Sequence, residues 1–266
     1  DNVTTMVRDS VIGDYGKGDA RVSYFGRLSY NFQEKYLATV SLRRDGSSRF
    51  GSENRFGYFT AVSAGWVISE EAFLDPATWL DFFKLRASWG QNGKEPFESY
   101  VYLATVGATD RYYFFNDANV GVSPDLYPNP ELKWEAQEQI NIGFDSRFLK
   151  DFSFTFDWYK KQAKDWIVSV PIPSITGIAG INENVDPFIN GGDVVNTGVE
   201  LDLGYHKKMG DFFLGLRANL AYNKNEVLNV PNEIIHGSTG TLYNGSHEFY
   251  RVEEGYPIGY FWGYVT

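Results

Sequence analysis

The chain has 266 residues, with 24 Lys and Arg against 34 Asp and Glu, and a formal net charge of −10. That balance, with no basic run, excludes a nucleic-acid partner, because nothing would neutralise a phosphate backbone. Cysteine is absent, which excludes disulfides and thiolate sites, and no apolar run of about 18 residues exists to form a transmembrane helix.

Residues 21–32 predict a first strand. Val22, Tyr24, Leu28, Tyr30 and Phe32 share one face, and Arg21, Ser23, Arg27, Ser29 and Asn31 share the other. Successive strand side chains point to opposite faces, so the strand has one apolar and one polar side. Residues 33–35 are a tight polar turn, and 36–44 return with Tyr36, Ala38, Val40 and Leu42 aligned. Residues 45–54 are rich in Gly and Ser and predict a loop. Alternation resumes at 56–67 and at 83–90, where Leu85, Ala87 and Trp89 oppose Lys84, Arg86 and Ser88. A long segment spans 91–133. Strands are then predicted at 136–148, 152–160, 199–205 and 212–223, with a loop rich in Pro, Gly and Asn before the third of these. Residues 259–266 read as the opening of a ninth strand.

Soluble strands run to about five or six residues, whereas a tilted strand across a bilayer needs roughly nine to eleven. Several of these segments reach the longer value. Short turns at 33–35, 149–151 and 207–210 fall at one end, and long loops at 45–54, 91–133, 162–193 and 225–257 at the other. That asymmetry, with aromatics at 17% of the chain, suits an outer-membrane barrel with aromatic girdles. Residues 69–82 are the exception, longer than a turn at the short-turn end, with one helical turn expected at 70–74. A soluble extracellular β-sandwich that binds glycans is the alternative, because its strands alternate too. Strand length and a polar face of small residues favour the barrel.

The polar face carries Arg27, Arg43, Arg86, Asp145, Asp157, Glu200, Asp202 and Arg217, which the barrel reading turns towards the lumen. Leu85, Ile142, Phe154, Leu201 and Leu216 then face lipid. The best ligand-contact segment lies in the aromatic-rich loop that carries Tyr100, Tyr102, Tyr112, Tyr113, Phe114 and Phe115. Tyr112, Tyr113 and Phe114 offer rings that stack on sugar faces or cover peptide side chains, and Asp110, Arg111, Asn116 and Asp117 offer hydrogen bonds. Packing within a hairpin, or an aromatic girdle, explains the same rings. Asp45-Gly46 reads as a turn signal. Arg43, Arg44, Arg49 and Arg55 around it are either an ordinary charged rim or contacts for lipopolysaccharide or a plug. His206, His236 and His247 are scattered, so no zinc site follows. Oxygen-rich stretches at 116–119 and 186–193 lack EF-hand spacing, leaving loop calcium as the one metal to consider and no cofactor expected. No catalytic constellation is legible, so the chain is not expected to be an enzyme.

Residues 42–51 (LRRDGSSRFG), 56–59 (FGYF), 63–71 (SAGWVISEE), 85–93 (LRASWGQNG), 129–135 (NPELKWE) and 190–200 (NGGDVVNTGVE) occur in this order. Together they resemble the SusC/RagA family of TonB-dependent outer-membrane transporters of Bacteroidetes. The resemblance implies an all-β fold, part of an antiparallel transmembrane barrel of about 22 strands with a plugged lumen. Residues 1–266 would be a segment of that barrel domain, without the plug. The chain starts at Asp1 without Met or a signal segment, so a mature protein or a fragment is expected. The implied role is TonB-dependent import of a bulky nutrient, an oligosaccharide or oligopeptide, across the bacterial outer membrane. Implied partners are a SusD-like surface lipoprotein, the TonB complex reached through the N-terminal region, outer-membrane lipid and the ligand.

Overall fold

The computed structural model describes residues 18–96, 99, 101–103, 105–107, 111–114, 117–120, 123–126, 128–170, 187–231 and 250–261, with backbone alone at 105–107, 111–114, 117–120, 123–126 and 250. The strands in chain order are β1 (Arg21–Phe32), β2 (Tyr36–Ser47), β3 (Phe56–Val67), β4 (Leu80–Lys94), β5 (Thr105–Gly107), β6 (Arg111–Phe114), β7 (Asp117–Val120) and β8 (Ser123–Leu126). They continue as β9 (Glu135–Phe148), β10 (Phe152–Lys164), β11 (Ile167–Ser169), β12 (Phe188–Asn190), β13 (Asp193–Met209), β14 (Phe212–Asn229), β15 (Tyr250–Arg251) and β16 (Tyr260–Phe261).

Eight of them form one antiparallel sheet in the order β1-β2-β3-β4-β9-β10-β13-β14. Neighbours in the sheet follow one another in the chain once the short loop hairpins are set aside. The sheet is open: β1 and β14 each pair on one side only among the described residues. Among the described residues no second sheet covers its apolar face, where Leu28, Ile142, Leu216 and Leu220 are 51–73% exposed. The β-sandwich alternative required those side chains in a dry core between two sheets, and it is set aside on this ground.

Register explains the two faces. One rung runs Phe32, Tyr36, Trp66, Leu85, Phe144, Phe156, Leu201 and Leu220 across all eight strands. A rung three residues along, on the other side, runs Ser29, Thr39, Ser63, Ser88, Asn141, Tyr159, Gly198 and Asn223. A one-residue slip in any pair would exchange the faces, so the apolar pattern itself specifies the register.

The strands outrun their predicted limits at the long-loop end: β2 reaches Ser47, β4 Lys94, β10 Lys164 and β14 Asn229, while β13 starts at Asp193. Strict alternation is required only where one face meets hydrocarbon, so the pattern fades where the ladder continues above it. Asp45-Gly46 is therefore not a turn. Both residues sit in the β2 ladder, opposite Gly57 and Phe56. Gly46 is there for space, since a Cβ would stand 2.5 Å from the Phe56 ring. The predicted ninth strand is also corrected: Tyr260 and Phe261 pair with β15, not with β14, and 262–266 lie outside the described residues. The helical turn expected at 70–74 begins earlier, as a 3₁₀ turn at Ile68–Glu70.

The tight turns use left-handed backbone. Gln33 and Glu34 have φ of 52° and 58°, and Leu149 and Lys150 have 52° and 63°. Two positive values in succession define the type I′ turn that matches strand twist. At the same end the apolar face carries an aromatic row. Phe32, Tyr36 and Trp66 stack at 6.4 and 6.3 Å, Phe148 stacks on Phe152 at 5.4 Å, and Tyr205 lies tilted against Phe152 at 4.7 Å.

Candidate functional site

Two regions concentrate polar and buried side chains: the polar face of the sheet and a knot at the base of the long loops. All eight charged residues predicted for the polar face fall on one side of the sheet by register. The five predicted lipid-facing residues fall on the opposite side. The polar side is hollow, with a groove of about 920 Å³ that reaches from Arg27 on β1 across Ser41, Ser63 and Ser88 to Lys161 on β10.

Ion pairs fix part of this face. Arg86 Nε donates to Asp145 at 2.7 Å and Nη2 to Asp157 at 3.0 Å, bridging β4, β9 and β10. Thr155 Oγ1 also donates to Asp145, at 3.2 Å. Gly143 makes room, because a side chain there would collide with the Asp157 carboxylate and the Phe156 carbonyl. Arg217 pairs with Asp202 at 2.8 Å across β13 and β14, and Arg43 with Asp45 at 2.7 Å along β2. Such part-exposed pairs contribute little to stability, at about 0–1 kcal/mol. Their effect is to hold charged side chains in fixed positions over a hydrophilic wall. Arg27 and Glu200 project exposed from the same face. Among the described residues no group of three or more His, Asp or Glu is arranged to hold a metal.

Of the predicted ligand-contact residues, Arg111, Tyr112, Tyr113, Phe114 and Asp117 lie in a nested hairpin within the 91–133 segment. In its inner ladder Arg111, Tyr112, Tyr113 and Phe114 face Val120, Asn119, Ala118 and Asp117, and β5 pairs with β8 outside it. Asp110 and Asn116 lie outside the described residues.

The sequence does not show the knot at the loop base. Phe50 and Leu132 have no exposed surface and Val101 has 2%; Trp134, Ile167 and Phe188 pack around them. Trp134 lies 4.8 Å from the Phe50 ring and edge-on to Phe59 at 5.6 Å. The Ser47 hydroxyl donates to Glu95 at 2.6 Å. Arg49 donates to the Pro96 carbonyl at 2.7 Å and to Asp19, which also accepts from Ser99. The Arg49 guanidinium, then the Ser99 hydroxyl, hold the Asp19 carboxyl at about 2, below the 3.8 of a free side chain. On the other side Asn190 Nδ2 donates to the carbonyls of Lys133 and Asp165 at 2.8 and 2.9 Å, and its Oδ1 accepts from Lys133 N–H at 2.9 Å. Asn129 donates to the Phe188 carbonyl at 2.7 Å, and Asn54 to the Glu131 carbonyl at 2.9 Å. Three long connections thus close on one buried cluster. Part of the signal was in the sequence: Ser47, Arg49 and Phe50, then Asn129, Leu132 and Trp134, then Asn190 fall in the 42–51, 129–135 and 190–200 motifs, whose turn chemistry alone does not show that they meet.

A single-layer antiparallel sheet with one continuous apolar face, one hydrophilic hollow face, tight turns at one end and long loops at the other is a segment of an outer-membrane barrel wall. Residues 2–260 match the family model for the TonB dependent receptor-like β-barrel. The TonB-dependent receptor P39 of Formosa agariphila is 34% identical over 244 residues, covering 91% of this chain and 22% of that protein. The TonB-dependent receptor SusC of Bacteroides thetaiotaomicron is 35% identical over 218 residues, covering 80% of this chain and 21% of that protein. Among solved structures, the RagAB peptide transporter superposes with a TM-score of 0.74 at 28% identity, over 90% of this chain and 25% of that one. The FrpB iron transporter from Neisseria meningitidis shares the fold at a TM-score of 0.51 and 13% identity. The chain belongs to the TonB-dependent receptor β-barrel family of outer-membrane proteins, with the SusC/RagA members. These relatives are receptors and transporters, not enzymes, and the chain spans between a fifth and a quarter of the length of those cited first.

Proposed function

We propose that this chain is the wall segment of a TonB-dependent importer that carries a bulky nutrient, an oligopeptide or oligosaccharide, across the outer membrane. The observation that carries this is the hollow polar face, a hydrophilic surface six strands wide backed by an apolar one. The RagAB peptide transporter and SusC, both similar over most of this chain, support it. In this reading Arg27, Arg43, Arg86, Asp145, Asp157, Glu200, Asp202 and Arg217 face the lumen. The loops at 91–133 and 225–257 face outward, towards a SusD-like lipoprotein and the ligand. Tyr112, Tyr113 and Phe114 with Asp110, Arg111, Asn116 and Asp117 are the proposed contacts. Work from TonB enters through parts of the transporter outside residues 1–266, and the wall itself calls on no cofactor.

Deleting the gene for the full-length transporter should abolish growth on one class of oligomeric nutrient and spare growth on the monomers. Unchanged growth on every oligosaccharide and oligopeptide tried would overturn the assignment. Because this chain has no Cys of its own, a cysteine placed at Tyr113 can test orientation. It should react with an impermeant reagent on intact cells, and reaction only after the outer membrane is broken would reverse the wall.

A further inference from the structure

At the short-turn end, the segment from Ile68 to Leu80 folds back over the apolar face of the sheet. Between it and the ends of β4 and β9 lies a hollow of about 510 Å³, lined by Ile68, Phe73, Leu74, Trp79, Phe83 and Phe148, with Leu80 and Ser146 completing it. The geometry points to a lipid site here: the hollow seats one fatty-acyl chain of a phospholipid in the periplasmic leaflet. This inference rests on the outer-membrane reading of the wall.

The lining chemistry narrows the occupant. Every lining residue but Ser146 is apolar, and the Ser146 hydroxyl already donates to the Phe154 carbonyl at 3.0 Å. Buried water needs two to four polar partners, which this hollow does not offer. Its size falls within the range of about 300–1,000 Å³ common for small-molecule sites, and a flexible hydrocarbon chain is the apolar ligand that a membrane supplies. The rim is itself apolar, with Phe73 66% and Trp79 58% exposed. Rings so exposed are costly in water and favourable at a bilayer interface.

Position supports the same occupant. Phe83 and Phe148 belong to the apolar face, where Phe83 lies 5.4 Å from Phe144, so the hollow is continuous with the lipid-facing surface. The aromatic row through Tyr36, Trp66, Phe152 and Tyr205 marks the headgroup level beside it. The segment is held open rather than collapsed. Successive turn bonds run from Glu71 N–H to the Ile68 carbonyl, from Leu74 N–H to Glu71, and from Ala77 N–H to Leu74, at 2.8–3.0 Å. Glu71 accepts from the Tyr36 hydroxyl at 2.7 Å and the Trp66 indole at 3.1 Å, and these donors lower its pKa. Asp81 accepts from Lys150 N–H at 2.7 Å, tying the base of the segment to the next turn.

The test uses the full-length transporter in bilayer discs doped with phosphatidylethanolamine that carries a photoreactive group midway along one acyl chain. Adducts are mapped by peptide mass. Adducts on residues 68–83 should exceed those on residues 212–222, an ordinary stretch of lipid face, several-fold. Leu74→Trp, which fills the hollow, should reduce the first to the level of the second and leave the second unchanged. If that variant does not give a folded barrel, Phe73→Ser at the exposed rim should lower the same adducts. Equal labelling of both stretches, or excess labelling that survives the substitution, would overturn the acyl seat while leaving the wall in lipid. Absence of label on both would overturn the membrane reading itself.

Discussion

Phe50 holds the loop end together through one ring. It has no exposed surface and packs on Trp134, and it stands three residues after the ladder of β2 ends. Truncating such a ring leaves a cavity and costs about 3–5 kcal/mol. In the full-length transporter Phe50→Ala should make the 91–133 segment the first site cut by protease on intact cells. Phe25→Ala, at an 82% exposed ring, should leave cleavage unchanged. Asp19 adds a pH dependence to the same knot. Its carboxyl is held at about 2, below 3.8, so the ionised form is the one the fold favours. The stabilisation is fully present above pH 3.8, and it is lost as pH falls through about 2. Protease sensitivity of the 91–133 segment should therefore rise on acidification across that window, and Asp19→Asn should abolish the change. A rise that persists in the variant would assign it to another group.

At the scale of elements, the wall strands were legible because hydrocarbon on one side demands alternation at every second residue. Phe212 to Tyr222 on β14 shows it, with Phe213 as the one large apolar residue on the polar side. The loop-end extensions of β4 and β13 were not legible, since Asn92, Gly93, Asn196 and Thr197 break the apolar alternation. The short turns at 33–35 and 149–151 were found by length, but their geometry was not, and the one placed at 207–210 lies at 210–211 because Lys207, Lys208 and Met209 continue β13. Gln33-Glu34 and Leu149-Lys150 occupy positions that ordinarily take Asn and Gly, with no composition signal to announce positive φ. The left-handed conformation costs an ordinary residue roughly 1–2 kcal/mol. Replacing Gln33-Glu34 by Asn-Gly should raise the unfolding temperature of the full-length barrel in detergent. A lowered value would mean that the two side chains make stabilising contacts that outweigh the strain.

For the whole molecule, the open sheet has direct consequences. The outer edges of β1 and β14 have no strand beside them among the described residues, and each unpaired backbone group in hydrocarbon costs several kcal/mol. Expressed alone, residues 1–266 should aggregate and show no heat-modifiable band on a gel. A protease-resistant monomer in detergent would show instead that the two edges meet in a small closed barrel. The sequence by itself determined the period of each wall strand, the end at which the long loops lie, and which side chains share a face. All of these are local properties, set by alternation along a single strand and by the length of the link to the next. Tertiary structure alone decided that Phe50, Val101, Leu132 and Phe188 close into one core, that Arg86 reaches two carboxylates on different strands, and that Phe73 and Trp79 frame a hollow against β4 and β9. Those contacts join residues far apart in the chain, and only the register of eight paired strands brings them within reach.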